Sequence, residues 1–325
     1  MGAQQYLRAC TVMVEGGGSA IGLQHLDGTD DRQLKIRFDT HQKDISTPHV
    51  LNCFIYNLKR ETAEKLRKEG KTITLTAGYD SGSGVIFKGE ILQVRTFREN
   101  VVDTATHITA TSAERARNTA TVNKTLAAGH TFRDRVDVAT KAMQQFGVTI
   151  GHVDDLGSKK FARGFACFGM AKDLLREICF ATGSSWHNHN GVFNLVKNQN
   201  TLPGNVIVLN SSTGMVGLPE QTLQGVIVRS LLNYRIRPAQ KVQINESSIQ
   251  QAAFNPSYGA DATLGNNALK DQLGLAADGI YKVLLVEHNG DTRGPNWYTE
   301  MVCVKNDGGV SQSLIARGIG QTDSD

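Results

Sequence analysis

Asp278 to Lys305 reads DGIYKVLLVEHNGDTRGPNWYTEMVCVK: two apolar, strand-like runs enclose a polar bend of Asn289, Gly290, Asp291, Thr292, Arg293 and Gly294. Loops held by rigid strands often carry catalytic groups, and His288, Asp291 and Arg293 crowd together here. Turn chemistry accounts for most of these letters without catalysis. Asn, Gly and Asp suit the backbone of a reversal, and Asp291 and Arg293 are placed to pair across it. A histidine–aspartate pair would also need an activated nucleophile, and the chain has no GxSxG elbow. The stretch is therefore read as a hairpin with a structural bend.

The same strand signature recurs towards the N-terminus. In QLKIRFD, Leu34, Ile36 and Phe38 alternate with Gln33, Lys35 and Arg37, a period of two that buries one face and wets the other. KTITLTAGY repeats it, with Ile73, Leu75, Ala77 and Tyr79 opposing Thr72, Thr74 and Thr76. HVLNCFIYN, GVIFKGEILQVRTF and THITATS read as further strands. One short helix interrupts them at NLKRETAEKLRKEG, with Asn57 as its expected cap and Gly70 as a left-handed stop. In the last third GVIVRSLLNYRIRPAQKVQIN returns to strands, while AAFNPSYGADATLGNNALKDQLGLAADG reads as a long loop.

Between these parts the period changes. Phe132, Val136, Ala139, Met143 and Phe146 fall on one helical face, with Thr131 and Asp134 as a capping pair and Gly147 as the stop. GMAKDLLREICFATG gives a second helix ending at Gly183, and SSWHNHNGVFNLVK a hairpin turning at Asn190 and Gly191. The reading is mainly β with an α+β insertion: residues 1–115 and 201–325 are β-rich, and 116–200 form a small helix–helix–hairpin domain. The two β-rich parts read as a pseudo-repeat, each with a strand (KTITL, KVQIN), a glycine-led strand (GVIFKGEILQV, GIYKVLLVEH), a polar bend and a matching strand (HITATS, YTEMVCV). Strands near 200–225 are an alternative completion of the first β-rich part.

Composition narrows the function. A net charge of +4 over 325 residues, not gathered into a tail, gives no sign of strong electrostatic binding to nucleic acid. The five cysteines lack CxxC spacing, which argues for reduced buried thiols and against a disulfide framework or zinc site. No secretory signal pattern opens the chain and no apolar run approaches the roughly 20 residues that span a bilayer, so stable membrane insertion is not expected. EGGGSAIG lacks the Gly-Lys-Ser/Thr of a phosphate loop. His187 and His189 share one side of a strand without an evident third ligand, and the adjacent Asp154 and Asp155 point opposite ways in a strand. No catalytic, cofactor or metal constellation is expected.

In order, these elements resemble the baseplate hub proteins of contractile-tailed phages. CFIYNLKRETAEKLRKEGKTITLTAGYDSGSGVIFKGEILQVRTF resembles that family's first barrel, with its strand, short helix, Gly-Tyr strand and IFxGxI strand. VIVLN and TGMVGLPEQT followed by GVIVRSLLN are similar to the segment before the second barrel, and the opening stretch resembles its final hairpin. The resemblance implies two tail-tube-like β-barrels per chain and a homotrimer that adapts a sixfold tail tube to a threefold central spike. Its implied setting is the virion baseplate, assembled in the host cytoplasm beside other baseplate proteins, around a channel that passes DNA without sequence-specific binding. The bend at 289–294 would then also contribute to a subunit or tube contact. SLIARGIGQTDSD carries no β-helical spike, so spike and hub are expected as separate chains, and the first 25 residues match the family pattern poorly. Two rivals belong to other classes: a cell-wall hydrolase acting through the α+β segment, which would need a carboxylate pair or a zinc triad there and would lose activity on changing Asp154 or His189, and a module gripping polysaccharide or peptidoglycan. A component of a related contractile secretion system is a variant of the hub reading.

Overall fold

The computed structural model describes residues 7–26, 33–222, 225–244, 250–251 and 279–305. In the first part, β1 (Arg8–Gly16), β2 (Ser19–Leu26), β3 (Ile36–Lys43), β4 (Val50–Tyr56), β5 (Thr72–Tyr79), β6 (Gly82–Arg98) and β7 (Thr104–Thr111) surround α1 (Arg60–Glu69). Period-two alternation drives these strands: Ile36, Phe38, Cys53, Ile73, Leu75 and Ile108 fill one core, while Arg37 and Asp39 stay on the wetter face. Residues 8–26, largely within the stretch that fits the family pattern poorly, form β1 and β2, an antiparallel pair added beside β5. Gly17 and Gly18, within EGGGSAIG, turn that pair at positive φ.

Two local expectations around α1 change. Lys59, not Asn57, is the N-cap and makes no side-chain cap bond. Asn57 instead sits at φ 53° and binds the β7 entry, accepting from Thr104 N–H at 3.0 Å and donating to Asp103 Oδ1 at 2.8 Å. Gly70 is extended rather than left-handed; glycine is needed there because a Cβ would meet Leu66 O at 2.6 Å.

The middle part holds α2 (Glu114–Thr119), β8 (Thr121–Leu126), α3 (Phe132–Gln144), β9 (Thr149–Val153), β10 (Phe165–Met170), α4 (Ala171–Thr182), β11 (Ser184–His189) and β12 (Val192–Lys197). Both expected helices and the hairpin form. Thr131 and Asp134 make the capping box, Gly183 is the left-handed stop of α4, and Asn190 and Gly191 turn β11 into β12 at φ 53° and 83°. Helices and strands share a core of their own around Val136, Met143, Leu175, Ile178, Trp186 and Phe193. The sequence reading did not anticipate α2 or β8–β10, which are short and packed on one side.

The last part holds β13 (Ile207–Leu209), β14 (Glu220–Thr222), β15 (Gly225–Leu231), β16 (Lys241–Ile244), β17 (Gln250–Gln251), β18 (Ile280–Asp291) and β19 (Trp297–Lys305), over a third core that includes Val228, Val242, Tyr281 and Met301. The expected loop AAFNPSYGADATLGNNALKDQLGLAADG lies outside the described residues apart from Gly279, as does SLIARGIGQTDSD.

Strand order repeats between the first and last parts. The first runs β3–β4–β7–β6–β5 and the last β14–β15–β19–β18–β16, with every neighbouring pair antiparallel. The registers agree as well. Opposite β7, β6 bulges between Ile91 and Gln93; opposite β19, β18 bulges between Val283 and Leu285. Counting from these bulges, Arg98 opposite Thr104 corresponds to Gly290 opposite Trp297.

The two units are one continuous sheet because β18 serves both. Its first residues pair with β16, and Leu285–Asp291 pair with β3. The first unit then curls back onto the β18–β19 hairpin. Trp297 packs edge-on to Phe38 with ring centroids 5.5 Å apart, and its Nε1–H donates 3.2 Å to Gly78 O at the end of β5. Trp297→Ala is therefore expected to cost about 3–5 kcal/mol in denaturant unfolding, and an unchanged midpoint would contradict closure through this residue.

Candidate functional site

The bend at the head of the β18–β19 hairpin is built into the molecule rather than presented as a reactive loop. Asn289, Gly290 and Asp291 finish β18, so the reversal runs from Thr292 to Asn296. Gly290 pairs with Phe38, and a Cβ at 290 would fall 2.3 Å from the Phe38 ring. Thr292 exchanges two bonds with Ile36: its Oγ1 accepts at 2.9 Å, and its N–H donates at 3.0 Å. Asp291 Oδ2 lies 3.2 Å from Lys35 Nζ, while Asp291 Oδ1 accepts the Arg293 N–H at 2.9 Å. Arg8 of β1 donates to the carbonyls of Asp291 and Gly294, tying the start of the chain to the bend. Arg293 is exposed and donates 2.7 Å to Gln33 O. His288 stands on the opposite face from Asp291, buried, with Nδ1 2.9 Å from Thr299 Oγ1. The three polar residues that opened the reading thus do not converge on one point.

A second cluster joins all three parts of the chain. Asp44, just after β3, is fully buried and receives three groups: Lys282 Nζ of β18 at 2.8 Å from Oδ2, and His187 Nδ1 and Ser185 Oγ of β11 at 2.9 and 3.1 Å from Oδ1. His49 stacks on His187 with centroids 6.0 Å apart and meets His189 edge-on at 5.7 Å. Burial pushes the Asp44 carboxyl up, but Lys282 and His187 outweigh it and hold it below its ordinary value. Burial, with smaller contributions from the neighbouring imidazoles, lowers His49 to about 3 and His189 well below its ordinary value. Around this centre, Arg117 donates 3.1 Å to Ser46 O, and Asn190 Oδ1 accepts from Lys88 N–H at 2.9 Å, fastening the α+β part to the sheet.

His187 and His189 do face one way, as their spacing requires, but what they face is His49 and Asp44, which sequence distance concealed. Among the described residues, no group of three His, Cys, Asp or Glu is placed to hold a metal. Asp154 is fully engaged: Oδ1 lies 2.7 Å from His152 Nε2, and Oδ2 accepts from Lys197 N–H at 2.7 Å and Asn200 Nδ2 at 3.0 Å. Burial raises its carboxyl and those bonds more than reverse the effect. Asp155 turns away to accept from Gly157 N–H at 2.9 Å. The geometry is that of groups which fix structure.

These features define a tail-protein fold. The tail protein from Neisseria meningitidis MC58 is similar over 92% of this chain and 97% of its own, at TM-score 0.55 and 10% identity. The 43 kDa tail protein of prophage MuSo2 from Shewanella oneidensis is similar over 91% and 97%, at TM-score 0.54 and 8% identity. No curated protein sequence matches the chain. The baseplate hub gp41 family matches residues 50–260, and the chain belongs to that family. It is a baseplate or tail component of a phage or related secretion system, a virion-associated protein that assembles with other tail proteins. No described helix is long and apolar enough to cross a membrane.

The buried histidines set a pH dependence. Burial lowers His49 and His288 from 6.5 to about 3, so between those values the unfolded chain binds protons that the folded chain refuses. Stability is complete above pH 6.5 and falls by about 1.4 kcal/mol per pH unit for each such histidine as pH drops through that window. The Asp44 contribution begins to be lost only at the acid end of that window, as the solution falls below its ordinary carboxyl value of 3.8. Urea midpoints should thus decline steadily from about pH 7 to about pH 4, and a flat profile would contradict neutral burial of these rings.

Proposed function

We propose that this chain is the structural, non-enzymatic hub of a contractile tail baseplate: a homotrimer joining the sixfold tail tube to the threefold central spike around a DNA channel. The observation that carries this reading is the repeated five-stranded unit, β3–β4–β7–β6–β5 and β14–β15–β19–β18–β16, fused through β18. Three copies of a chain that carries one unit twice present six similar units, which match a sixfold partner on one face while keeping threefold symmetry for the other. In this division, 1–115 and 201–325 are the two tube-like parts and 116–200 is a docked accessory domain.

The outer face of the joined sheet suits a passage for DNA that is not held. Ion pairs and hydrogen bonds cross it within the sheet: Arg229 pairs with Glu300 at 2.6 Å and Arg37 with Glu99 at 3.8 Å, and His41 Nδ1 lies 2.8 Å from Glu287 Oε1. Such pairs contribute little to stability, but they engage Arg229 and Arg37 with carboxylates in place of phosphates. The bend at Asn289–Gly294 serves as a structural corner, with exposed Arg293 on the side open to a subunit or tube contact.

Mass measurement of the purified protein, alone and mixed with its tube and spike proteins, tests the reading. A trimer that binds both is expected; a monomer indifferent to both partners would overturn it.

A further inference from the structure

We infer that β6 of one copy pairs with β14 of the neighbouring copy, repeating between chains the β18–β3 junction that exists within each chain. This deepens the trimer reading and rests on it. Counting from the matched bulges, β18 residues Leu285–Asp291 correspond to Gln93–Glu99 of β6 and its exit. In β18 this half-strand has two neighbours, β19 and β3. In β6 the same half-strand has one, β7: β5 reaches only from Gly82 to Glu90, and among the described residues no strand lies beyond it. A seven-residue counterpart of a paired edge is therefore bare, and Leu92 beside it is 53% exposed. Unpaired edges of this length pair with another chain unless they are covered.

The same ladder identifies the occupant. β15 opposite β19 corresponds to β4 opposite β7, so Ile227 takes the place of Asn52. Glu220 opposite Ile227 then takes the place of Asp39 opposite Asn52, making β14 the counterpart of β3. Within the chain, Glu287 faces His41 and Asn289 faces Asp39. The equivalent contact between chains sets Arg95 opposite Thr222 and Phe97 opposite Glu220, with Arg95 and exposed Glu220 diagonal neighbours of opposite charge. Among the described residues, the outer edge of β14 carries the two-residue β17, which the longer β6 replaces in this pairing. The contact is head-to-tail, joining two different edges, and closes into a ring of three when each copy is turned a third of a revolution from the last.

Cysteine cross-linking with mild oxidant tests this directly, since all five native cysteines are buried. Phe97→Cys/Glu220→Cys is expected to give covalent dimers and trimers on denaturing, non-reducing gels, and each single variant none. Arg95→Glu is expected to weaken self-association at least about tenfold, and adding Glu220→Arg to restore it. A trimer by mass whose paired cysteines fail to link, or which single variants link equally well, overturns the edge pairing and leaves the hub reading intact. A monomer even with tube and spike proteins present overturns both.

Discussion

A β-sheet edge must be paired, covered or blunted, and the way β18 meets this demand organises the molecule. Its first residues complete the last unit through β16, and its remaining residues accept β3 of the first unit. One strand therefore sets the register of both units. Because a slip of one residue would turn Phe38 and Thr40 outward and Arg37 and Asp39 inward, the fused register is strongly specified by burial. The bend that follows β18 then anchors β1 through Arg8 and β5 through Trp297, so the hairpin that joins the units also closes the first of them.

The α+β part is fixed by different physics. Its own core is apolar, yet its seat on the sheet centres on buried Asp44, Lys282 and His187. Such a cluster gives little net stability relative to an apolar contact, since desolvation offsets the attraction, but removing any one member is costly. It also admits few alternative arrangements, because each polar group needs its partner. A component of a tail assembly gains more from this definition of position than from the added stability.

Much of this was legible in the sequence, for local reasons. Alternation in Ile36–Phe38 and Ile73–Tyr79, the Thr131–Asp134 cap and the Asn190–Gly191 turn are fixed within a few residues, and the order of strands was enough to suggest the repeat. What stayed hidden depends on distant partners. Asn57 has the chemistry of a cap but is drawn to Asp103 and Thr104 on the neighbouring strand. Gly70 looks like a helix stop, whereas close approach of Leu66 O decides it. His187 and His189 announce a shared face, but Asp44 and His49 lie more than a hundred positions away, so neither the docking cluster nor its neutral histidines had a local signal.

In the proposed hub, each chain contributes two equivalent units to a ring. End-on electron microscopy averages of the isolated assembly measure this most directly. Six lobes of similar size around a central opening, alternating under threefold symmetry, are the predicted result; three lobes, or a particle without a central opening, would contradict the account.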